Sequence, residues 1–257
     1  MRSVRVVSLV FWIGFALACA PRPPPRTIAA GYEGAPGVET ILVLPVNVAT
    51  QLPEEFSAPA KRVNLAIANY VRESGRKVVT LSYYDARAQL RETLASLGKT
   101  EGKKSDPTIL APRFAASLHE TMAFDALVMP SLVYREGRIL QGTKNVEWDG
   151  VRRELEIVGA ADRYMSIYYE AYPAGKMDAV SLHLFVFDPA GTKVFDGFGG
   201  LDLIHRFDMH DSWEKGYRPT LKKKRLTDEV AVREGIAIAF HPYLTFRPAP
   251  AANAAEP

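Results

Sequence analysis

One cysteine, Cys19, is all the chain has in 257 residues. With no second thiol to pair with, a disulfide framework is excluded. Long apolar runs are missing as well. The most hydrophobic stretch, Val6 to Leu17, falls short of the roughly 20 residues a membrane-crossing helix needs. Strong charge of one sign is also absent: 32 Lys and Arg stand against 29 Asp and Glu, a net charge of +3. Composition therefore gives no electrostatic argument for nucleic acid. Enzyme signatures fail in turn. There is no Gly-x-Ser-x-Gly elbow and no Walker phosphate loop. His119-Glu120 begins like a zinc-protease helix, but position 123 is Ala where the second ligand is required. The glycine-rich GFGG, Gly197 to Gly200, leads into LDLIHRF, which continues as strand and offers no helix amino terminus to a phosphate.

What is present begins at the amino terminus. Arg2 and Arg5 precede the apolar run, and small residues and prolines follow it, the order of a secretory signal. Ala16-Leu17-Ala18-Cys19 resembles the bacterial lipobox, with Ala16 where Leu is usual. That resemblance implies cleavage after Ala18, a signal peptide of residues 1–18, and a lipid attached to the Cys19 thiol. The competing cleavage after Ala20 would leave Pro21 first, which signal peptidases handle poorly. Each buried methylene of an acyl chain contributes about 0.8 kcal/mol, so several chains hold a protein firmly to a bilayer. Ala20 rather than Asp follows the cysteine, which in the sorting rule of enteric bacteria directs a lipoprotein to the outer membrane, here on its periplasmic side. Export argues against a nucleic-acid partner, and loss of Arg2 and Arg5 lowers the net charge from +3 to about +1.

Residues 19–38 are rich in Pro, Gly and Ala and read as an extended tether. Residues 247–257 read as a disordered tail. Between them, residues 39–246 suffice for one domain with its own core. Glu39 to Val48 reads as a buried strand. Val63, Ile67, Tyr70 and Val71 then repeat at helical spacing, and Gly75 closes that helix. Lys77 to Tyr83 reads as a second strand. Asp85 caps a helix carrying Ala86, Leu90, Leu94 and Leu97, ended by Gly98, and another helix starts near Pro112. Asp125 to Tyr134 is a third strand, whose Pro130 implies a bulge or an edge. Residues 135–176 are polar and read as an irregular insertion. A hairpin follows, pairing Val180–Phe187 with Val194–Phe207 across Asp188-Pro189-Ala190-Gly191, a type I turn sequence. Gly197, Gly199 and Gly200 predict a bulge or a close backbone approach. A helix from Thr227, with Val232, Ile236 and Phe240, stops at Pro242. The fold class is α/β: a single domain with a mixed sheet, in the order βαβααβ, insertion, hairpin, terminal helix, with helices packed on the sheet.

The strand ILVLPV, the junction FDALVMPSLV and the hairpin LFVFDPAGTKVF, in that order, resemble a group of bacterial envelope proteins. The group includes the TolB amino-terminal domain, CsgG and the lipoprotein activators of peptidoglycan synthases. The resemblance implies a non-enzymatic assembly or partner-binding role, no cofactor, and an envelope protein as partner; self-association stays open. A pore of the curli-channel kind would need lipid-facing strands of about 9–11 alternating residues, and residues 135–176 are too charged to supply them.

Two sets of residues compete as the site. Trp148, Arg152 and Arg153, with Arg163 and the tyrosines at 164, 168, 169 and 172, have the composition of a protein interface, since Trp and Arg most often supply binding energy there. The bland alternative is a minor core over the sheet. In DLIHRFDMHD, His205, Asp208 and His210, with Asp211, offer imidazoles and carboxylates to a metal, the basis of an alternative reading as a metal-dependent envelope hydrolase. A polar loop is the plainer account. Lys222 to Arg225, KKKR, is either a solvated charge run or a contact for anionic headgroups.

Overall fold

The computed structural model describes residues 23–30, 35, 37–52, 54–101, 107–141, 143–158, 175–209 and 217–244. Cys19, the signal segment, the tail, the tyrosines at 164–172, His210 and Asp211 lie outside them. The chain runs β1 (Arg26–Ile28), β2 (Thr40–Val43), a 3-10 turn at Glu54–Phe56, α1 (Ser57–Glu73), β3 (Lys77–Thr80), α2 (Tyr83–Glu101) and α3 (Pro107–Thr121). There follow β4 (Ala126–Ile139), β5 (Asn145–Trp148), β6 (Val151–Glu154), β7 (Ile157–Val158), β8 (Gly175–Phe187), β9 (Lys193–Leu203), β10 (His205–Met209), β11 (Tyr217–Leu221) and α4 (Glu229–Phe240). The α/β class and the mixed sheet are as expected. In the main sheet the order is β1-β9-β8-β4-β2-β3. β3, β2 and β4 are parallel, and β8, β9 and β1 alternate antiparallel beyond them.

Alternation along the strands divides the side chains between two helical layers. Ile41, Val43, Val128, Leu182, Leu184 and Val186 pack with Val63, Ile67 and Val71 of α1 and Val232, Ile236 and Phe240 of α4. Leu42, Leu44, Leu127 and Met129 point to the other face and pack on Ala86 and Leu90 of α2 and Phe114 and Leu118 of α3. Both faces of β2 and of the first half of β4 are covered, which is why TILV and ALVMP are nearly continuously apolar. The helix spacings at Val63–Val71 and Val232–Phe240 therefore read the core side correctly.

Several boundaries differ from the sequence expectation, each for a visible reason. Lys77 to Tyr83 is not all strand: Ser82 caps α2, its hydroxyl accepting from the Asp85 amide at 3.1 Å and donating to the Asp85 carboxylate at 2.6 Å. Asp85 is thus the third helical residue, whose amide the Ser82 cap accepts from, and not the cap itself. α2 runs past Gly98 to Glu101, and α3 starts at Pro107, with Pro112 inside it. Pro130 is neither in a bulge nor at a sheet edge, being paired with Leu184 on β8. Its carbonyl accepts from the Asn47 amide at 3.0 Å on the β2 side. There the β2 ladder has already ended at Val43 opposite Val128, so no donor is required of the proline.

The stretch read as an irregular insertion is largely strand where described. Residues 135–139 extend β4 along β8. β5 and β6 form a hairpin that folds over the sheet, placing Val146, Trp148 and Val151 against Met177, Ala179 and Leu203. Its two-residue turn, Asp149-Gly150, has φ of +35° and +83°, the left-handed pair that matches the twist of a hairpin. The Asp188–Gly191 turn forms as expected, with Gly191 at φ +85° and its amide donating to Asp188 O at 3.0 Å.

The return strand does not continue to Phe207. β9 shifts register opposite Val180/Ser181, ends at Leu203, and hands the chain to a second sheet, β11-β10-β7. The glycines serve close approach: a β-carbon on Gly197 would meet the Ala239 carbonyl of α4, and one on Gly199 the Gly235 carbonyl. The tether expectation is also corrected. Arg26–Ile28, inside residues 19–38, pairs antiparallel with β9 as an edge strand. No described helix is long and apolar enough to cross a membrane.

Candidate binding surface

Trp148 is not an exposed anchor. It is 6% exposed and stands in the cluster under the β5–β6 hairpin, so the minor-core alternative is the one the structure has. Arg152 binds Glu147 through Nε at 2.9 Å. Arg153 reaches Glu234 of α4 at 2.6 Å and the Ala231 carbonyl at 3.2 Å. Both arginines secure the hairpin, one to itself and one to the terminal helix. The adjacent Asp149 is a buried carboxylate held by Arg135 Nε at 2.8 Å and Nη2 at 3.0 Å and by the Ser181 hydroxyl at 2.7 Å. A buried charge is tolerated when it is paired and hydrogen-bonded in this way.

His205 and Asp208 are not brought together. They lie three residues apart on β10, opposite Leu221 and Arg218 of β11, and a separation of three on a strand puts side chains on opposite faces. His205 Nδ1 is 3.7 Å from Asp178. Asp208 accepts from the Thr220 hydroxyl at 2.8 Å and pairs with Arg206 Nε at 2.9 Å. Thr220 first, and Arg206 against the opposing effect of burial, hold the Asp208 carboxyl below its ordinary value of 3.8. Among the described residues no three His, Cys, Asp or Glu side chains gather as a metal site would require. Of the KKKR run, Lys222 is tied to Asp202 at 3.1 Å.

Two surfaces that the sequence reading missed carry the chemistry of recognition. On the first, at the carboxyl end of β3, Tyr83 is 44% and Tyr84 84% exposed. Their rings meet edge to face, centroids 6.3 Å apart. Arg87 lies one turn on, its guanidinium 5.9 Å from the Tyr83 ring and Nη1 donating to the Val48 carbonyl at 3.0 Å. That bond ties α2 to the loop after β2. The Ser82 cap fixes the helix start and with it the backbone that carries the two rings.

The second surface is a half-open strip of β8 and β9 between α2–α3 and the hairpin. His183 stacks on Phe198 at 3.8 Å and binds Asp196 through Nε2 at 2.9 Å. The guanidinium of Arg135 lies 4.8 Å from the Phe198 ring. Lys193 reaches Asp196 at 3.2 Å. Burial raises the Asp196 pKa, but the His183 and Lys193 contacts outweigh it and leave the carboxyl below 3.8. Ser131 is opposite His183 in the register, and the side-chain bond that His183 makes is to Asp196. The His–Asp pair is thus packed against an aromatic ring, with Phe198 and Asp196, both touching the His183 ring, on β9.

No protein-family model matches the chain, and no curated protein matches it. Neither comparison supports the likeness to the TolB and CsgG group suggested by the sequence. Among solved structures the chain is similar to a dodecamer of a PelC point variant from Paraburkholderia phytofirmans, at 11% identity. The match covers 87% of this chain and 97% of that one, with a TM-score of 0.33. A superposition of that quality transfers neither fold nor function.

Proposed function

We propose that this chain is an outer-membrane lipoprotein, anchored through Cys19 on the periplasmic side, that acts by binding another envelope protein through Tyr83, Tyr84 and Arg87. The anchor rests on the secretory signal and the lipobox-like Ala16–Cys19. The observation that carries the binding role is Tyr84, an aromatic ring left 84% exposed beside a second exposed ring and an arginine. Tyr and Arg are enriched among residues that dominate binding energy, and Tyr presents a large contact area with few torsions to freeze. The Ser82 cap holds the backbone that carries the pair, which lowers the entropic cost of binding. The metal-hydrolase alternative has no such support, because His205 and Asp208 face apart.

A photo-crosslinking residue at position 84, in cells, tests the reading. A discrete adduct with one envelope protein is expected from position 84 and not from Val230, which is 79% exposed on α4. Equal labelling from both positions, or none from either, removes the binding role. Cys19→Ala tests the anchor separately: the protein should leave the membrane fraction or accumulate as precursor.

A further inference from the structure

The first residues of the described chain are seated, not free. Pro24 packs over the β5–β6 turn, where a β-carbon on Gly150 would be 2.9 Å from Pro24 Cδ and 2.8 Å from Ile238 Cγ2 of α4. Arg26, Thr27 and Ile28 then pair with Gly197, Asp196 and Phe195, and the Ala29 amide donates to the Val194 carbonyl at 3.1 Å. Only the four steps from Cys19 to Pro23 separate the lipid attachment site from this seat. At most about 14 Å of chain is available there, where a free tether over residues 19–38 would reach roughly 65 Å.

Resting on the lipid anchor proposed above, we infer that the domain is held in one orientation, with the sheet end around Pro23–Pro25 and the β4–β8 extension facing the bilayer. That end holds a cavity of about 600 Å³ lined by Pro23, Pro24, Arg135, Arg138 and Glu147. Arg138 and Lys176, cross-strand partners, are each 72% exposed beside it. Their acidic neighbours Glu147 and Glu136 balance them, so the short arm, not attraction to anionic headgroups, sets the orientation. The Asp188–Gly191 turn lies roughly 35 Å along β8 from Lys176, its Gly191 against Pro112 of α3, and projects away from the lipid.

The test uses the full lipidated protein in phosphatidylethanolamine–phosphatidylglycerol vesicles carrying a headgroup nitroxide. A fluorophore is placed at Arg138→Cys or Ala190→Cys, and Lys176→Cys repeats the first position should Arg138→Cys not fold. The mass of the amino-terminal peptide first establishes the lipid on Cys19. The labels at 138 and 176 should lose most of their emission and the label at 190 should keep it, unchanged by added salt, which would screen an electrostatic contact. Thr27→Pro, which removes a ladder donor opposite Asp196, should abolish the difference. An unlipidated Cys19 overturns the anchor and the orientation with it. A lipidated protein with equal quenching at both ends, with the order reversed, with quenching abolished by salt, or with a difference that survives Thr27→Pro overturns the orientation alone.

Discussion

Gly199 of β9 and Gly235 of α4 meet backbone to backbone: a β-carbon on either would run into a carbonyl oxygen of the facing element. Helix α4 therefore lies directly on the strand, and Ile236, Ala239 and Phe240 reach the core between α1 and the sheet. Gly199→Ala should destabilise the fold by about 3 kcal/mol, the range of overpacking in a well-filled core. Gly235→Ala is the sharper case, since alanine favours a helix over glycine by about 1 kcal/mol. The clash with the Gly200 carbonyl involves backbone that cannot move without unseating β9, so this variant should also be less stable. Urea unfolding of both variants checks the contact; a more stable Gly235→Ala protein would show that α4 can lift away.

Trp148 carries a different expectation now that its place is known. Trp148→Ala should cost about 3–5 kcal/mol, as for other large aromatic-to-alanine changes in a core. Val146, Val151 and Met177 would lose the side chain they pack on. Thermal melting measures this directly, and an unchanged transition would return Trp148 to the surface. Leu184, fully buried between β8 and the helices, should behave alike: Leu184→Asp would bury an unpaired charge and abolish the cooperative transition.

The helices and the strands covered on both sides were legible because burial leaves a period in the sequence: Val63–Val71 and ILV at 41–43 each repeat as their surroundings demand. The β5–β6 hairpin left one local signal, Asp149-Gly150 between NVEW and VRRE, but the charges around it masked the turn. Those charges, Glu147, Arg152 and Arg153, pair with one another and with α4, which no local pattern reveals. β1 is three residues with no core-facing side chain, so nothing in Arg26–Ile28 marks it as strand. The Tyr83–Tyr84 surface was hidden by a boundary: reading Lys77 to Tyr83 as strand conceals the Ser82 cap and the helix start behind it. His183 and Asp196 meet only through the hairpin register, in which Asp196 is opposite Phe185 and not His183.

That pair gives a pH dependence of known sign. Asp196 has a folded pKa below its ordinary 3.8, so the native state binds its proton less readily than the unfolded chain does. Its contribution is fully present above 3.8 and is lost as pH falls through the lowered folded value. Asp196→Asn should be less stable than the parent at neutral pH. The gap between them should close on acidification below that range. Urea midpoints of both proteins across the acid limb check it, and a gap that widens on acidification would mean the sign is reversed.

The double variant Tyr83→Ala, Tyr84→Ala separates binding from folding. Neither ring belongs to a core cluster, and substitutions at such surface positions usually change stability by less than about 0.5 kcal/mol. Tyr83 contributes its edge-to-face contact and the face it offers to Arg87, a cation–π contact worth roughly 0.5–1 kcal/mol when exposed. The Ser82–Asp85 cap and the Arg87–Val48 bond stay in place, so helix α2 should form unchanged. The melting transition should move by a few degrees at most. What should be lost is the partner: with the crosslinker moved to Arg91 on the same helix, the parent should yield the adduct and the double variant should not. A double variant that keeps the adduct would leave the two tyrosines as bystanders and shift attention to the Phe198–Arg135 strip. There Phe198→Ala should remove the adduct, and stability would have to be tracked with it because the His183 ring rests on that side chain.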